Sequence, residues 1–337
     1  MGVEPVGREQ VGVRAQLQQP AVVEDGDAVG RADGREPMGH DETRPAFQNP
    51  IHIVSRMKGL EEDFCETAVA ALGVAVSTVR APAGSTPGKV LSALDSLYAL
   101  PFFGFSVATN PVAKPRMSAM ALCALIQQRT GRAAVLHCTT RDHNRLSLQG
   151  LLWGARALGI ETVLVTTGDF VALRDRATTS DVRDIDLFGL LTMATEAGMQ
   201  AGVVLDPRPE SDGLTHAVER LTRKVDAGAR FVVTQPVYDP ASADALANAV
   251  QKIDIPLIMG ILPLRTPRHA DFLHDKVAGI AVPKPLRDRM HQAQDPIAEG
   301  IAIARENLAL ARERFAGACI MPPFDHYEIL PSILTAP

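Results

Sequence analysis

Asp169 closes the stretch Thr166-Thr167-Gly168-Asp169 at the end of an apolar run. The glycine lets a ligand approach the backbone and a carboxylate follows at once, although the same pair also suits a plain turn. Gln235, in Val233-Thr234-Gln235-Pro236, carries a neutral amide that both donates and accepts, so it can read the edge of a heterocycle. His137 opens His137-Cys138-Thr139-Thr140-Arg141-Asp142; it suits either a ligand contact or a hydrogen-bonded place in the core. A fourth stretch, Gly260-Ile261-Leu262-Pro263-Leu264 with Arg265, Arg268 and His269 after it, repeats the pattern of apolar run and polar end. The sequence has no His-Glu-x-x-His pair, serine elbow, P-loop or dinucleotide fingerprint, and its nine histidines are scattered, so no metal set is expected. These residues point to a polar heterocyclic ligand, and the lack of a nucleophile favours cofactor chemistry.

The elements that must position them are eight short apolar runs: Val74–Arg80, Phe103–Ala108, Ala133–Thr140, Thr162–Asp169, Gln200–Asp206, Arg230–Pro236, Pro256–Pro263 and Ala318–Phe324. Nearly continuous apolar strands alternating with helices require a parallel sheet covered on both faces. Eight such units predict an α/β fold, a single (β/α)8 TIM barrel, with its chemistry at the carboxyl ends of the strands. Those ends hold Thr78, Asn110, His137, Thr139, Asp169, Asp206, Gln235, Pro263 and the stretch from Phe324 to His326. Between them, helical spacing and closing glycines predict Met120–Arg129 stopped by Gly131, Leu148–Leu158 stopped by Gly159, and a helix through Leu214, Val218, Leu221 and Val225 stopped by Gly228.

Residues 1–56 are polar and lack a period, so they are read as a disordered N-terminal extension, with residues 57–337 forming the barrel. The compositional break also fits translation starting at Met57. A net charge of −5 with mixed signs offers no basic stripe to nucleic acid, and no apolar window is long enough for a membrane span. Cys65, Cys123, Cys138 and Cys319 lack paired spacing. With no secretory opening, they suggest a cytoplasmic protein, Cys123 lying on a helix and Cys138 and Cys319 in strands as small buried hydrophobes.

At its strand ends the chain resembles the methylenetetrahydrofolate reductase family, most closely the reductase half of bifunctional homocysteine S-methyltransferase/methylenetetrahydrofolate reductases. The resemblance spans about residues 74–334. It is carried by Asn110-Pro111 with Arg116-Met117-Ser118, by the stretch from Leu136 to Asp142, by Thr167-Gly168-Asp169, and by Lys224-Val225-Asp226-Ala227-Gly228-Ala229. Further carriers are Thr234-Gln235-Pro236-Val237-Tyr238-Asp239, the stretch from Gly260 to Leu264, that from Arg268 to His274, and Met321-Pro322-Pro323-Phe324. It implies a flavoprotein that takes hydride from NADH or NADPH onto FAD and passes it to 5,10-methylenetetrahydrofolate, giving 5-methyltetrahydrofolate for methionine biosynthesis. On this resemblance Asp169 falls on the aspartate beside the flavin pyrimidine, where its charge disfavours an anionic reduced flavin. Gln235 falls on the glutamine that meets pterin and nicotinamide in turn. Asn110, His137, Thr139, Thr167, Gly168, Asp184 and Lys224 fall on cofactor positions, and His269, Leu273 and His326 on the folate side.

The chain departs from the family at two places. Strand one of the relatives carries a glutamate, the general acid, followed by Pro-Pro; here Thr78 stands at the glutamate and Ala81-Pro82-Ala83-Gly84 over the rest. Opening the imidazolidine ring requires a proton on nitrogen that a threonine hydroxyl cannot store, and a lost general acid costs ~10²–10⁴ in rate. Glu61, Glu62, Asp63 and Glu66 precede the barrel and could substitute. After strand eight, Phe324-Asp325-His326-Tyr327-Glu328 has histidine where the relatives have arginine. Both changes fall on the folate half-reaction, which leaves open a divergent flavoenzyme with another hydride acceptor. A non-catalytic folate- or flavin-binding partner of a methyltransferase also stays open, since residues 1–56 are too short and polar to be that domain. Self-association is a further expectation.

Overall fold

In the computed structural model the described residues run from 75 to 335, apart from 96, 98–99, 101, 173–174, 207–212 and 278. The 1–56 extension, Met57, Cys65 and the acidic residues Glu61 to Glu66 lie outside them. The strands are β1 (Ala75–Arg80), β2 (Phe102–Ala108), β3 (Ala133–Thr139), β4 (Thr162–Thr166), β5 (Gln200–Leu205), β6 (Phe231–Pro236), β7 (Leu257–Ile261) and β8 (Gly317–Ile320). Helices α1 (Gly88–Asp95), α2 (Ala119–Thr130), α3 (Arg145–Ala157), α4 (Leu187–Glu196), α5 (Gly213–Asp226) and α6 (Pro240–Val250) fill the first six connections. Three helices, α7 (Pro267–Lys276), α8 (Lys284–Gln292) and α9 (Pro296–Arg314), separate β7 from β8, and α10 (Leu330–Leu334) follows the last strand.

Every strand pairs in parallel with its sequence neighbour, and β1 pairs with β8 through Val76–Cys319 and Ser77–Ile320. The sheet therefore closes into the expected barrel. Side chains alternate along a strand with period two. Val135, Leu164, Val233, Ile258 and Cys319, one from each of five strands, pack together inside the barrel. The same faces of β3 and β6 then carry His137, Thr139 and Gln235 upward toward the mouth. The opposite faces meet the helices in the main core, where Leu122, Leu152, Leu190 and Leu221 are fully buried, each contributing ~1.5–3 kcal/mol. A smaller cluster of Tyr238, Leu264, Leu273, Ile280, Val282 and Met290 fixes the α7–α9 excursion.

The helices start on side-chain caps. Asn144, Asp186, Asp239, Thr266 and Asp295 each accept a backbone N–H of the first turn, worth about 1 kcal/mol apiece. Gly131 closes α2 at φ 66°, as its position after the last apolar residue predicts. Cys123 lies on α2 and Cys138 and Cys319 in β3 and β8, all buried. Three expected strands end two or more residues short of their apolar runs, β7 at Ile261 rather than Pro263, and β4 and β8 as well. β4 ends at Thr166, because Gly168 turns at φ 72°. β8 ends at Ile320, because Pro322 and Pro323 bring no N–H to a ladder and Phe324 and Asp325 adopt φ 55° and 63°.

Candidate functional site

A cavity of about 460 Å³ opens at the carboxyl ends of β2 to β6, within the ~300–1,000 Å³ range of small-molecule sites. His137 and Thr139 from β3, Thr166 to Asp169 after β4, Asp206 after β5 and Gln235 from β6 line it. Helix α5 supplies the opposite wall with His216, Ala217, Arg220 and Lys224, while Val165, Leu187, Val204 and Leu205 give it an apolar side.

Asp169 is aimed by its neighbours. Its Oδ2 accepts the Val112 backbone N–H at 2.6 Å. That N–H faces it because Asn110, Val112 and Ala113 lie in the left-handed region at φ 41°, 50° and 52°. Just before Asp169, Gly168 leaves no room for a side chain: an added Cβ would lie 3.1 Å from Thr139 Cβ and 3.2 Å from Arg141 Cβ. Below the loop, Arg141 is buried and donates to the carbonyls of Asp169 and Asn110, both at 3.0 Å. It also grips Asp142 through Nε at 2.5 Å and Nη2 at 2.8 Å. Burial alone would raise the Asp142 carboxyl, but Arg141, with Asn110 and Thr139, holds it below the ordinary carboxylate range.

His137 lines the cavity from β3 and pairs with Ser106 of β2. Its Nε2 and Ser106 Oγ are 2.6 Å apart, and burial pushes its pKa down to about 4. The ring is therefore neutral at physiological pH, so one nitrogen donates and the other accepts. Lys224 Nζ donates to the Val204 carbonyl at 2.7 Å. Burial, and after it the charge of Arg220, lowers this lysine to about 8, so it stays mainly protonated at neutral pH. Gln235 reaches the cavity at a register break between β6 and β7, where Thr234 Oγ1 receives the Gly260 N–H at 2.9 Å.

The structure thus gathers His137, Thr139, Thr167, Gly168, Asp169, Lys224 and Gln235 on one wall system, and places the other expected residues elsewhere. Asn110 borders the cavity through Thr109 and Pro111, its side chain donating to Asp142 at 3.2 Å and accepting the Arg116 N–H at 2.9 Å. Asp184 accepts the Arg145 N–H at 3.0 Å, at the start of α3. Thr78 Oγ1 lies 3.4 Å from Cys319 Sγ, inside the barrel wall. Leu273 packs in the α7–α9 cluster. His269 meets the ring of Phe324 at a tilt of 53° with centroids 5.4 Å apart, its Nδ1 is buried without a hydrogen-bond partner, and burial lowers its pKa. His326 Nδ1 pairs with Glu328 Oε1.

Two contributors escaped the sequence reading. His216 and Arg220 precede Lys224 by eight and four residues on α5, so one helix face carries all three. That i, i+4, i+8 spacing was visible in the sequence. Arg141 was visible too, but nothing local showed that its fork would bridge two loops. Among the described residues no group of three or more His, Cys, Asp or Glu could hold a metal ion, and no helix is long and apolar enough to cross a membrane.

Fold and site together define a β/α barrel whose mouth holds a cavity lined by two carboxylates, a neutral amide, an imidazole and the basic residues of α5. A family model described as methylenetetrahydrofolate reductase matches residues 78–318. The 5,10-methylenetetrahydrofolate reductase of Salmonella typhimurium (strain LT2) is 28% identical over 189 residues, 55% of this chain and 62% of that protein. The enzyme of the same name from Pectobacterium carotovorum subsp. carotovorum is 26% identical over 175 residues, 51% and 58% of the two chains. The matched stretch thus spans less than two thirds of these relatives. Among solved structures, an uncharacterized protein from Clostridium thermocellum that binds two copies of 5-methyl-5,6,7,8-tetrahydrofolic acid shares the fold, with a TM-score of 0.56 and 14% identity over 80% of this chain and 96% of that one. The chain belongs to the methylenetetrahydrofolate reductase family.

Proposed function

We propose that the protein is a flavin-dependent reductase that oxidises NADH or NADPH and converts 5,10-methylenetetrahydrofolate to 5-methyltetrahydrofolate. The observation that carries this reading is the convergence of Asp169, Gln235, neutral His137 and the α5 cations on one cavity. That donor set fits FAD. Gly168 allows close approach at the loop, Val165, Leu187 and Leu205 supply an apolar face, and Arg220 and Lys224 answer phosphate charge. Bound there, the flavin would supply the hydride relay between nicotinamide and folate.

The protein's own contribution is charge and orientation. Asp169, fixed by the Val112 N–H, presents a carboxylate that disfavours negative charge on a neighbouring ring. The Gln235 amide can turn either its donor or its acceptor to the ligand edge, which suits two substrates taking turns on one face. The proton that opens the imidazolidine ring must sit on a cavity group. Thr78 has no carboxyl to hold it and is turned to Cys319, whereas Asp169 and Asp206 are the carboxyl groups on the cavity wall.

Anaerobic stopped-flow tests the reading. Flavin absorbance should bleach with NADH or NADPH and recover with methylenetetrahydrofolate, and Asp169→Asn should slow the second step while sparing the first. Flavin binding without recovery would favour the second reading, a flavoenzyme with another hydride acceptor, which the Thr78–Cys319 pairing in place of a carboxyl supports. Absence of flavin would move the weight to a binding partner of a methyltransferase.

A further inference from the structure

Arg141 is 2% exposed yet lies outside the cavity lining, and its guanidinium joins three segments of the mouth. Nη1 donates to the Asp169 carbonyl and Nη2 to the Asn110 carbonyl, each at 3.0 Å. The remaining edge is clamped by Asp142, whose Oδ2 also receives Asn110 Nδ2 at 3.2 Å and Thr139 Oγ1 at 3.3 Å. Asn110 and Val112 hold left-handed backbone at φ 41° and 50°, which persists only where surroundings over-determine it. That strained turn is what delivers the Val112 N–H to the Asp169 carboxylate at 2.6 Å.

We propose that Arg141 is the positioning residue that sets the direction of the Asp169 carboxylate, by tying the β2 loop and the β4 loop to one planar fork. A guanidinium can engage two carbonyls and a carboxylate in a single plane, whereas a lysine ammonium is a point donor on a flexible stem and cannot. Arg141 is not part of the cavity lining. It acts on Asp169 through the backbone at both ends of the Val112–Asp169 bond, and Asp142 keeps the fork from rotating away.

The catalytic consequence rests on the proposed role of Asp169 beside a flavin, but the structural consequence does not, so two readouts separate them. In Arg141→Lys, hydrogen exchange at the Val112 amide should accelerate at least about tenfold, while amides in β5 and β6 keep their protection. In the same variant folate-driven flavin reoxidation should fall about 10²-fold in rate constant, the scale of an ångström misplacement, with flavin reduction by NAD(P)H spared. Arg141→Lys combined with Asp169→Asn should be no slower than Asp169→Asn alone, since both act on one group. Unchanged Val112 exchange, or losses that multiply in the double variant, would overturn the proposal. If the wild-type protein shows no folate-driven reoxidation, the functional reading fails and the exchange arm alone decides on Arg141. Should Arg141→Lys not fold, Asp142→Asn leaves the guanidinium in place but loosens its clamp. Faster Val112 exchange in that variant supports the proposal, and unchanged exchange overturns it.

Discussion

Lys224→Met separates the cost of a buried cation from its use. Burial and Arg220 bring Lys224 from the ordinary 10.5 to about 8. Holding the ammonium charged in the fold, as it is at pH 7, therefore costs up to about 3 kcal/mol relative to the unfolded chain. Some solvent reaches this side chain, and the variant leaves the Val204 carbonyl without the donor it has at 2.7 Å. After screening and about 1 kcal/mol for that hydrogen bond, a net gain of about 1 kcal/mol is expected from a methionine of similar length. In a domain of this size that raises Tm by about 2–4 °C. The pH dependence gives the sharper signature. Because the folded value lies below the unfolded one, between pH 8 and 10.5 the unfolded chain holds more protons, and the wild-type protein gains stability as pH rises through that window. The advantage of Lys224→Met should accordingly shrink between pH 7 and about pH 10, while affinity for an anionic dinucleotide drops at least about tenfold at neutral pH. Thermal unfolding at both pH values and cofactor titration read this out. A variant less stable than wild type at pH 7, or an advantage independent of pH, would refute the reasoning.

Thr78→Glu places a carboxyl beside Cys319 Sγ, now 3.4 Å from the threonine hydroxyl. Burial there favours the protonated acid, so folate reduction should rise ~10²-fold or more; an unchanged rate in stopped-flow would mean that this position does not reach the folate. Gly168→Ala puts a Cβ 3.1 Å from Thr139 Cβ at φ 72°, which should cost of order 1–3 kcal/mol and lower the melting temperature, and an unaltered melting temperature would contradict the described loop. For His137, burial sets the folded value near 4 against 6.5 ordinarily. Its contribution is complete above about pH 6.5 and is lost as pH falls toward about 4, so His137→Gln should flatten stability across that window in thermal melts. An acid limb as steep as that of the wild type would exclude it.

Much of the fold was legible because its signals are local. The runs at Ala133 and Gln200 became β3 and β5 within a residue or so of their expected bounds, and Gly131 stopped α2 where the apolar spacing ended. Two misjudged strand ends, those of β4 and β8, have related causes. Thr167 to Asp169 and Met321 to Phe324 continue their runs in composition, but positive φ and proline remove them from the ladder. In the site, Thr167-Gly168-Asp169 and His137 stood at strand ends and met on one cavity. Asp184 instead receives the Arg145 N–H and Leu273 joins a packing cluster, because a position in a loop or helix does not specify which neighbour its side chain will face.

The sequence by itself determined the alternation of strand and helix, the inward face of each strand, and the set of polar residues available at the carboxyl ends, since each follows from a period of two or of 3.6 read over a few residues. Only the tertiary structure decided which of them meet. Closure of β1 onto β8 turned Thr78 to Cys319, 241 positions away. The Arg141 fork drew the Asn110 turn onto the Asp169 loop, so that a backbone N–H and a carboxylate 57 positions apart share one hydrogen bond. Such pairings depend on where whole loops come to rest in space, and local periodicity carries no record of that.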